Sequence, residues 1–88
     1  MPLKQHIILG VHITDRVRHV RSVQDTLTEF GCSIRTRLGL HEADQGFCAP
    51  NGLLLLEMTD DAANAKQLAD KLNAIEGVEV KTMVFDHP

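Results

Sequence analysis

The sequence predicts an α+β fold in which two helices cover one face of a four-stranded antiparallel sheet. Segments near both ends of the chain alternate apolar and polar residues with the two-residue period of strands. Two other segments place apolar residues at helical spacing, and a glycine follows each of them (Gly31 and Gly77). The resulting order is strand, helix, strand, strand, helix, strand. A chain of 88 residues has room for one core, so residues 1–88 are predicted to form a single domain.

The first half of the chain begins with a strand predicted from Lys4 to Ile13, followed by a helix from Arg16. Thr14 or Asp15 is the expected N-cap, because a side-chain oxygen there can accept from an unpaired helix N–H. Gly31 is expected to end the helix in a left-handed conformation. The apolar stripe of the helix is predicted to contain Val17, Val20, Val23, Leu27 and Phe30.

A second strand is predicted from Cys32 to Leu40. Strict alternation places Ile34, Thr36 and Leu38 on one of its faces, and it places Arg35 and Arg37 on the other. The segment 41–51 contains Gly46 and Pro50 among polar residues and is predicted to be a loop.

The second half repeats the pattern, with a strand from Leu53 to Met58 that is apolar on both faces and therefore central. Thr59, Asp60 and Asp61 are expected to cap a second helix, and Gly77 to close it. A last strand runs from Val78 to Phe85. The stripe of the second helix is predicted to contain Ala65, Leu68, Ala69, Leu72 and Ile75. Crossover handedness then puts the first and third strands in the middle of the sheet, which is the ferredoxin-like arrangement.

Four short signatures occur in order along the chain. They are Asp15-Arg16 after the first strand, Arg37-Leu38-Gly39 in the second, Leu68-Ala69-Asp70-Lys71-Leu72 on the second helix, and Gly77-Val78-Glu79-Val80-Lys81-Thr82 into the last strand. Together they resemble the small ACT-like proteins proposed as regulators of the iron-only hydrogenase system. That resemblance covers nearly the whole chain. It implies a stand-alone regulatory fold, related to the ACT domain and to the nickel-sensing domain of a bacterial nickel regulator.

Composition excludes several functions. A net charge of −3 disfavours binding to a phosphate backbone, and three Phe without Trp or Tyr provide no base-stacking platform, so no nucleic-acid partner is expected. No apolar run reaches the roughly 18 residues of a membrane span. Two cysteines without a CxxC motif favour a reduced, cytoplasmic protein. Since the sequence contains no nucleophile elbow, phosphate loop or ordered catalytic triad, we expect no enzymatic activity, and the sequence identifies no cofactor.

Two candidate ligand sites remain. Thr14, Asp15, Arg16, Arg37 and Gly39 could bind a small anion near the start of the first helix, although Asp15 and Glu29 could instead pair with the arginines. His41 and Cys48 flank the predicted loop and could hold a metal ion if further ligands joined them. The alternative for that pair is a solvated histidine and a free thiol. A structural adaptor of a larger complex is a third functional hypothesis.

Self-association is the remaining expectation. Two helices cover only one face of a four-stranded sheet. The other face is predicted to be apolar at Ile8, Leu53, Leu55, Met83 and Phe85. Pairing of two such faces would bury them and could bring Glu57 of one chain to Arg35 or Arg37 of another. A dimer is expected, or a tetramer if edge strands also pair.

Overall fold

The computed structural model describes residues 4–14, 16–40, 43–44, 47–48, 52–59 and 62–87. The helices are α1 (Arg16–Glu29) and α2 (Ala62–Asn73), and a short 3-10 helix spans Gly31–Ser33. The strands are β1 (Lys4–Ile13), β2 (Ile34–Leu40), β3 (Ala43–Asp44), β4 (Phe47–Cys48), β5 (Gly52–Met58) and β6 (Val78–His87).

The main sheet has four antiparallel strands in the order β2-β5-β1-β6, which confirms that the first and third long strands are central. β1 pairs with β6 along its whole length, from Lys4 opposite His87 to Ile13 opposite Val78. On its other side β1 pairs with β5, from Ile8 opposite Glu57 to Ile13 opposite Gly52. Because the register is continuous, the face on which each residue of these strands lies follows from the period of two.

The core lies between one face of the sheet and the two helices. β1 contributes the odd-numbered residues from Ile7 to Ile13, α1 contributes Val23 and Leu27, and α2 contributes Ala65, Leu68, Ala69 and Leu72. Phe30 is also buried, whereas the side chains of Val17 and Val20 lie outside the described part. Ile75 follows the end of α2 and packs half-buried against this core.

The chain between α1 and β2 differs from the prediction. Gly31 is not left-handed; among the described residues the only glycine with positive φ is Gly77, at 84°. Instead the chain continues in a right-handed turn, because the Ser33 N–H donates to the Phe30 carbonyl at 2.9 Å. This 3-10 turn contains Cys32, which is exposed, so β2 starts at Ile34, two residues later than predicted.

A β-bulge in β2 corrects the predicted faces of this strand. Ile34 pairs with Met58, but the next paired residue is Thr36, opposite Glu57, so Arg35 is the extra residue. The extra residue inverts the alternation. Leu38 therefore lies opposite Leu55 on the face away from the helices, while Arg37 lies opposite Leu56 on the helix side. The predicted placement of Arg37 on the uncovered face was wrong.

The segment predicted as a loop contains a small two-stranded sheet. β3 and β4 pair through Ala43 with Cys48 and through Asp44 with Phe47. The two strands are separated by two residues along the chain. His41 and the predicted cap residues Asp60 and Asp61 lie outside the described residues.

The connection from α2 to β6 is held against the end of β1. Gly77 takes the positive φ that a residue with a Cβ adopts at a cost, and its carbonyl accepts from the Thr14 N–H at 2.8 Å. Asn73, the last residue of α2, accepts the Val80 N–H through its side-chain oxygen at 2.8 Å. This contact occupies a donor on β6, an edge strand, where unpaired donors invite pairing with another chain.

Candidate functional site: the open face of the sheet

The predicted anion site begins at the end of β1. The Thr14 hydroxyl donates to the Gly77 carbonyl at 2.9 Å, so its proton already holds the α2–β6 turn against β1. Asp15 lies outside the described residues, and the backbone of Arg16 begins α1. Thr14 therefore makes a contact that stabilises the fold, and its predicted role in ligand binding stays a prediction.

The remaining residues of that set lie on β2. Gly39 pairs with Leu54, which pairs with Val11, and Arg37 is level with Leu9, five residues before Thr14. Two strand spacings and five residues of rise separate Arg37 from Thr14 by roughly 19 Å. An ion of ordinary size cannot bridge their backbones. Gly39 is near the same end of the sheet as Thr14, whereas Arg37 is not.

Of the proposed metal ligands, Cys48 lies in β4 of the small two-stranded sheet. The backbone of Cys48 is described, but its side chain and the whole of His41 are not. Within the described ranges no group of three or more His, Cys, Asp or Glu side chains is arranged to hold a metal ion. The metal site at His41 and Cys48 therefore stays a prediction, because the described residues do not test it.

The interface residues predicted from the sequence lie together on one surface. The sheet face away from the helices, here called the open face, has large apolar side chains that solvent reaches. Leu38 is 51% exposed, Met83 52% and Phe85 49%, while Ile8, Leu53 and Leu55 are half-buried. The register confirms that all five predicted residues and Leu38 share this face.

Glu57 also lies on this face and is already paired within its own chain. The Thr36 hydroxyl donates to one carboxylate oxygen at 2.9 Å, and an Arg35 guanidinium nitrogen lies 3.8 Å from the other. Both charged side chains are partly exposed, so the pair contributes little to stability. It orients the carboxylate at one corner of the face.

Strict alternation along β2 missed the place of Leu38 on the open face. The predicted contact of Glu57 with Arg35 was expected between two chains, whereas here the two side chains lie close within one chain. The bulge places Leu38 on this face, and neither a glycine nor a proline marks the bulge in the sequence around Arg35. A β-branched residue such as Thr36 beside a long charged residue is ordinary strand sequence. No local signal in the sequence could have located the extra residue.

No protein-family model and no curated protein matches the chain. Among solved structures, the uncharacterized protein TM1266 of Thermotoga maritima is 26% identical over 96% of this chain and 99% of its own, with a TM-score of 0.77. CPII of Thiomonas intermedia K12, a nitrogen regulatory PII-like protein bound to ADP, AMP and bicarbonate, is 10% identical over all of both chains, with a TM-score of 0.60.

A dimeric ferredoxin-like protein from an uncultured marine organism is 14% identical over 97% of this chain and 95% of its own, with a TM-score of 0.51. The shared architecture agrees with the strand order and the helix layer seen here. The fold is ferredoxin-like. None of the helices in the described ranges has the length and apolarity needed to span a membrane.

Proposed function

We propose that the protein is a stand-alone regulatory module that senses a small ligand and works as a homo-oligomer formed through the open face. The observation that carries the proposal is the exposure of Leu38, Met83 and Phe85 on one sheet face. The proposal assigns no reaction to the chain. The resemblance to regulators of the iron-only hydrogenase system provides its regulatory context and stays a prediction.

The physical support for self-association is the cost of leaving this face in water. Monomeric proteins rarely expose a contiguous apolar patch larger than a few hundred Å². Burial of apolar surface is worth about 25 cal/mol per Å², before the loss of translational and rotational freedom is subtracted. An identical face on a second chain supplies the matching apolar surface without any further partner.

The support for ligand sensing is the fold shared with CPII, whose structure holds ADP, AMP and bicarbonate. In the present chain we place the ligand at the end of the sheet where β1 leads into α1. The first turn of a helix carries unpaired N–H groups and the positive end of the helix dipole, which favour an anionic group. Arg16 begins this helix.

Sedimentation over a micromolar concentration series tests the oligomer. We expect a species larger than one chain. Leu55→Glu should reduce it to the mass of one chain, because a carboxylate would then have to be buried at the interface. Gln67→Glu introduces a glutamate at an exposed position of α2, away from the open face, and should leave the oligomer intact. Both variants should keep the helical circular-dichroism signal. A wild-type protein that sediments as one chain contradicts the oligomer.

A thermal-shift series with ADP, AMP, bicarbonate and free amino acids tests the sensing. A ligand that binds the folded state raises the midpoint by mass action. We expect the rise to be lost in Arg16→Gln and kept in Arg21→Gln, which changes an exposed residue of the same helix. If none of these compounds raises the midpoint at millimolar concentration, the sensing part of the proposal fails while the oligomer stands.

A further inference from the structure

The apolar residues of the open face follow one diagonal of the sheet. Leu38, Leu53 and Leu55 lie on β2 and β5 toward the end of the sheet where β1 finishes. The others lie on β1 and β6 toward the opposite end, where Ile8 pairs with Met83 and His6 pairs with Phe85. We call these six residues the apolar stripe: Ile8, Leu38, Leu53, Leu55, Met83 and Phe85. With strands about 4.8 Å apart and same-face residues about 7 Å apart, the stripe is inclined by about 40° to the strands.

Polar residues fill the two corners beside the stripe. The β2 corner consists of Arg35, Thr36 and Glu57, which contact one another. The β6 corner consists of His12, Glu79 and Lys81. His12 pairs with Glu79, and Lys81 pairs with Gly10. Each corner thus combines an acidic and a basic side chain, on opposite sides of the stripe.

We propose that a second copy of the chain docks on the open face with its two-fold axis along the apolar stripe, so that the strands of the two sheets cross at about 80°. This inference rests on the proposed self-association and specifies its geometry. Two stripes inclined by about 40° to their own strands overlap only when the sheets are rotated by twice that angle. Sheets aligned within about 30° would set each stripe across a polar corner.

Charge decides between the two axes that superpose the stripes. With the axis along the stripe, the β2 corner faces the β6 corner, and Glu57 lies opposite Lys81 of the partner subunit. With the axis across the stripe, each corner faces itself, and Glu57 lies opposite Glu57 of the partner subunit. Opposed like charges are disfavoured at an interface, and complementary charges are favoured. The first axis is therefore the one selected.

The twist of the sheet favours the same contact. A twisted sheet is saddle-shaped, so on each face the ends of one diagonal rise and the ends of the other fall away. With a right-handed β1–α1–β2 crossover and the usual twist, the rising diagonal on the open face is the one along the stripe. Crossed sheets then meet at the apolar ends and separate at the polar corners, where charged side chains keep access to water.

The area of the face sets the expected strength. Three strand spacings by three same-face rows give a projected area of about 14 by 20 Å, which is less than the roughly 800 Å² per partner of a standard interface. We therefore expect a dimer that dissociates in the micromolar range. A single substitution on the stripe should shift the dissociation constant measurably.

Cross-linking of single-cysteine variants with a short bis-maleimide tests the position of the axis. The variants are made in the full-length chain with Cys32 and Cys48 replaced by serine. Leu55 and Ile8 lie near the proposed axis, where each is separated from its own copy chiefly by the roughly 10 Å between packed sheets. Glu79 would be about 20 Å from its own copy. We expect Leu55→Cys and Ile8→Cys to cross-link to a covalent dimer, and Glu79→Cys to remain single chains.

A cross-link at Glu79→Cys overturns the proposal, because an axis across the stripe would bring Glu79 about as close to its own copy as Leu55 and Ile8 are to theirs. A dimer by sedimentation with none of the three cross-linked overturns the geometry and leaves the proposed oligomer standing. A protein that sediments as one chain removes both. Circular dichroism of each variant before cross-linking shows that the fold is kept.

Reversal of charge tests the facing corners separately. Glu57→Lys and Lys81→Glu should each raise the dimer dissociation constant about tenfold or more, and the double variant should recover most of the loss. Glu57→Gln removes the charge while it keeps an acceptor for Thr36, and should fall between the wild type and Glu57→Lys. A double variant as weak as the worse single variant contradicts the Glu57–Lys81 contact.

Discussion

The two faces of the sheet carry similar aliphatic side chains but differ in what covers them. Leu56 and Leu55 are neighbours on β5, yet Leu56 is fully buried beneath the helices and Leu55 is half-buried on the open face. Alternation along a strand determines which face a residue joins, but it does not provide a cover for that face. In this fold the helices cover one face within the chain, and the proposed association would cover the other.

The largest expected effect is the difference in unfolding free energy between substitutions at these two neighbours. Leu56→Ala should lower the free energy of unfolding by about 2–5 kcal/mol, because it removes buried methyl groups and leaves a cavity in the core. Leu55→Ala should cost less than about 1.5 kcal/mol in the monomer, because water already reaches that site. Urea denaturation at two protein concentrations separates folding from association. Equal losses for both variants would mean that the two faces are equally covered.

Two glycines extend the comparison with a smaller effect. A Cβ at Gly39, on the helix side, would lie 3.3 Å from the Leu54 Cδ2 atom, whereas a Cβ at Gly10, on the open face, would lie 3.8 Å from the Lys81 carbonyl oxygen. Gly39→Ala should therefore cost about 1 kcal/mol through crowding. Gly10→Ala should raise monomer stability by about 0.5 kcal/mol, since it restricts the unfolded chain.

This pair is best measured by urea denaturation in the Leu55→Glu background, where association does not contribute. The sign is the informative quantity. If Gly10→Ala destabilises the isolated chain, the space seen above Gly10 is filled by another part of the same chain, and the open face is not open.

Most of the fold was predictable because its two periods are clear in the sequence. The order of elements, the central strands and the buried stripe of α2 all follow from apolar spacing, and these expectations are confirmed. The bulge at Arg35 was not predictable, since one extra residue inverts the faces of β2 without changing its composition. Gly31 was misread for a related reason. Glycine permits a left-handed turn, but a right-handed 3-10 turn satisfies the same backbone groups.

The candidate site was predictable only where it depends on strand alternation. Ile8, Leu53, Leu55, Met83 and Phe85 share one face because β1, β5 and β6 keep an unbroken register. The predicted anion site required the pairing register, which sets how residues of different strands are aligned along the sheet. Alternation within a strand does not determine that register. The prediction therefore grouped Arg37 with Thr14 although the register separates them.

The edge strand β6 provides a third comparison, between its two ends. At its start, the Asn73 side chain accepts the Val80 N–H, whereas near its end Gln5 of β1 donates to the Asp86 carboxylate on the surface. Asn73→Ala should cost about 1 kcal/mol in urea denaturation, because it removes an acceptor from a backbone donor at the edge. Asn73→Asp keeps an acceptor and should cost less. Hydrogen exchange at the Val80 amide should accelerate in Asn73→Ala; an unchanged rate would mean that the contact protects nothing.

The smallest expected effect on stability comes from two ion pairs, one in the helix layer and one on the open face. Lys71 of α2 contacts the Glu29 carboxylate at 2.5 Å and lies 5.4 Å from the centre of the Phe30 ring, so it joins the ends of two helices. Arg35 contacts Glu57 at 3.8 Å, within the sheet. All four charged side chains are partly exposed.

Because solvent screens both pairs, neither should contribute more than about 1 kcal/mol. Lys71→Met should nevertheless lower the unfolding free energy by about 0.5 kcal/mol, since it removes an ammonium group from the face of Phe30 as well as from Glu29. Arg35→Met should change monomer stability by less than that and should instead weaken the dimer. Measurement of both variants with and without added salt decides the matter. A loss in Lys71→Met that disappears completely in salt would assign the whole effect to Glu29, and none of it to the aromatic contact between the helices.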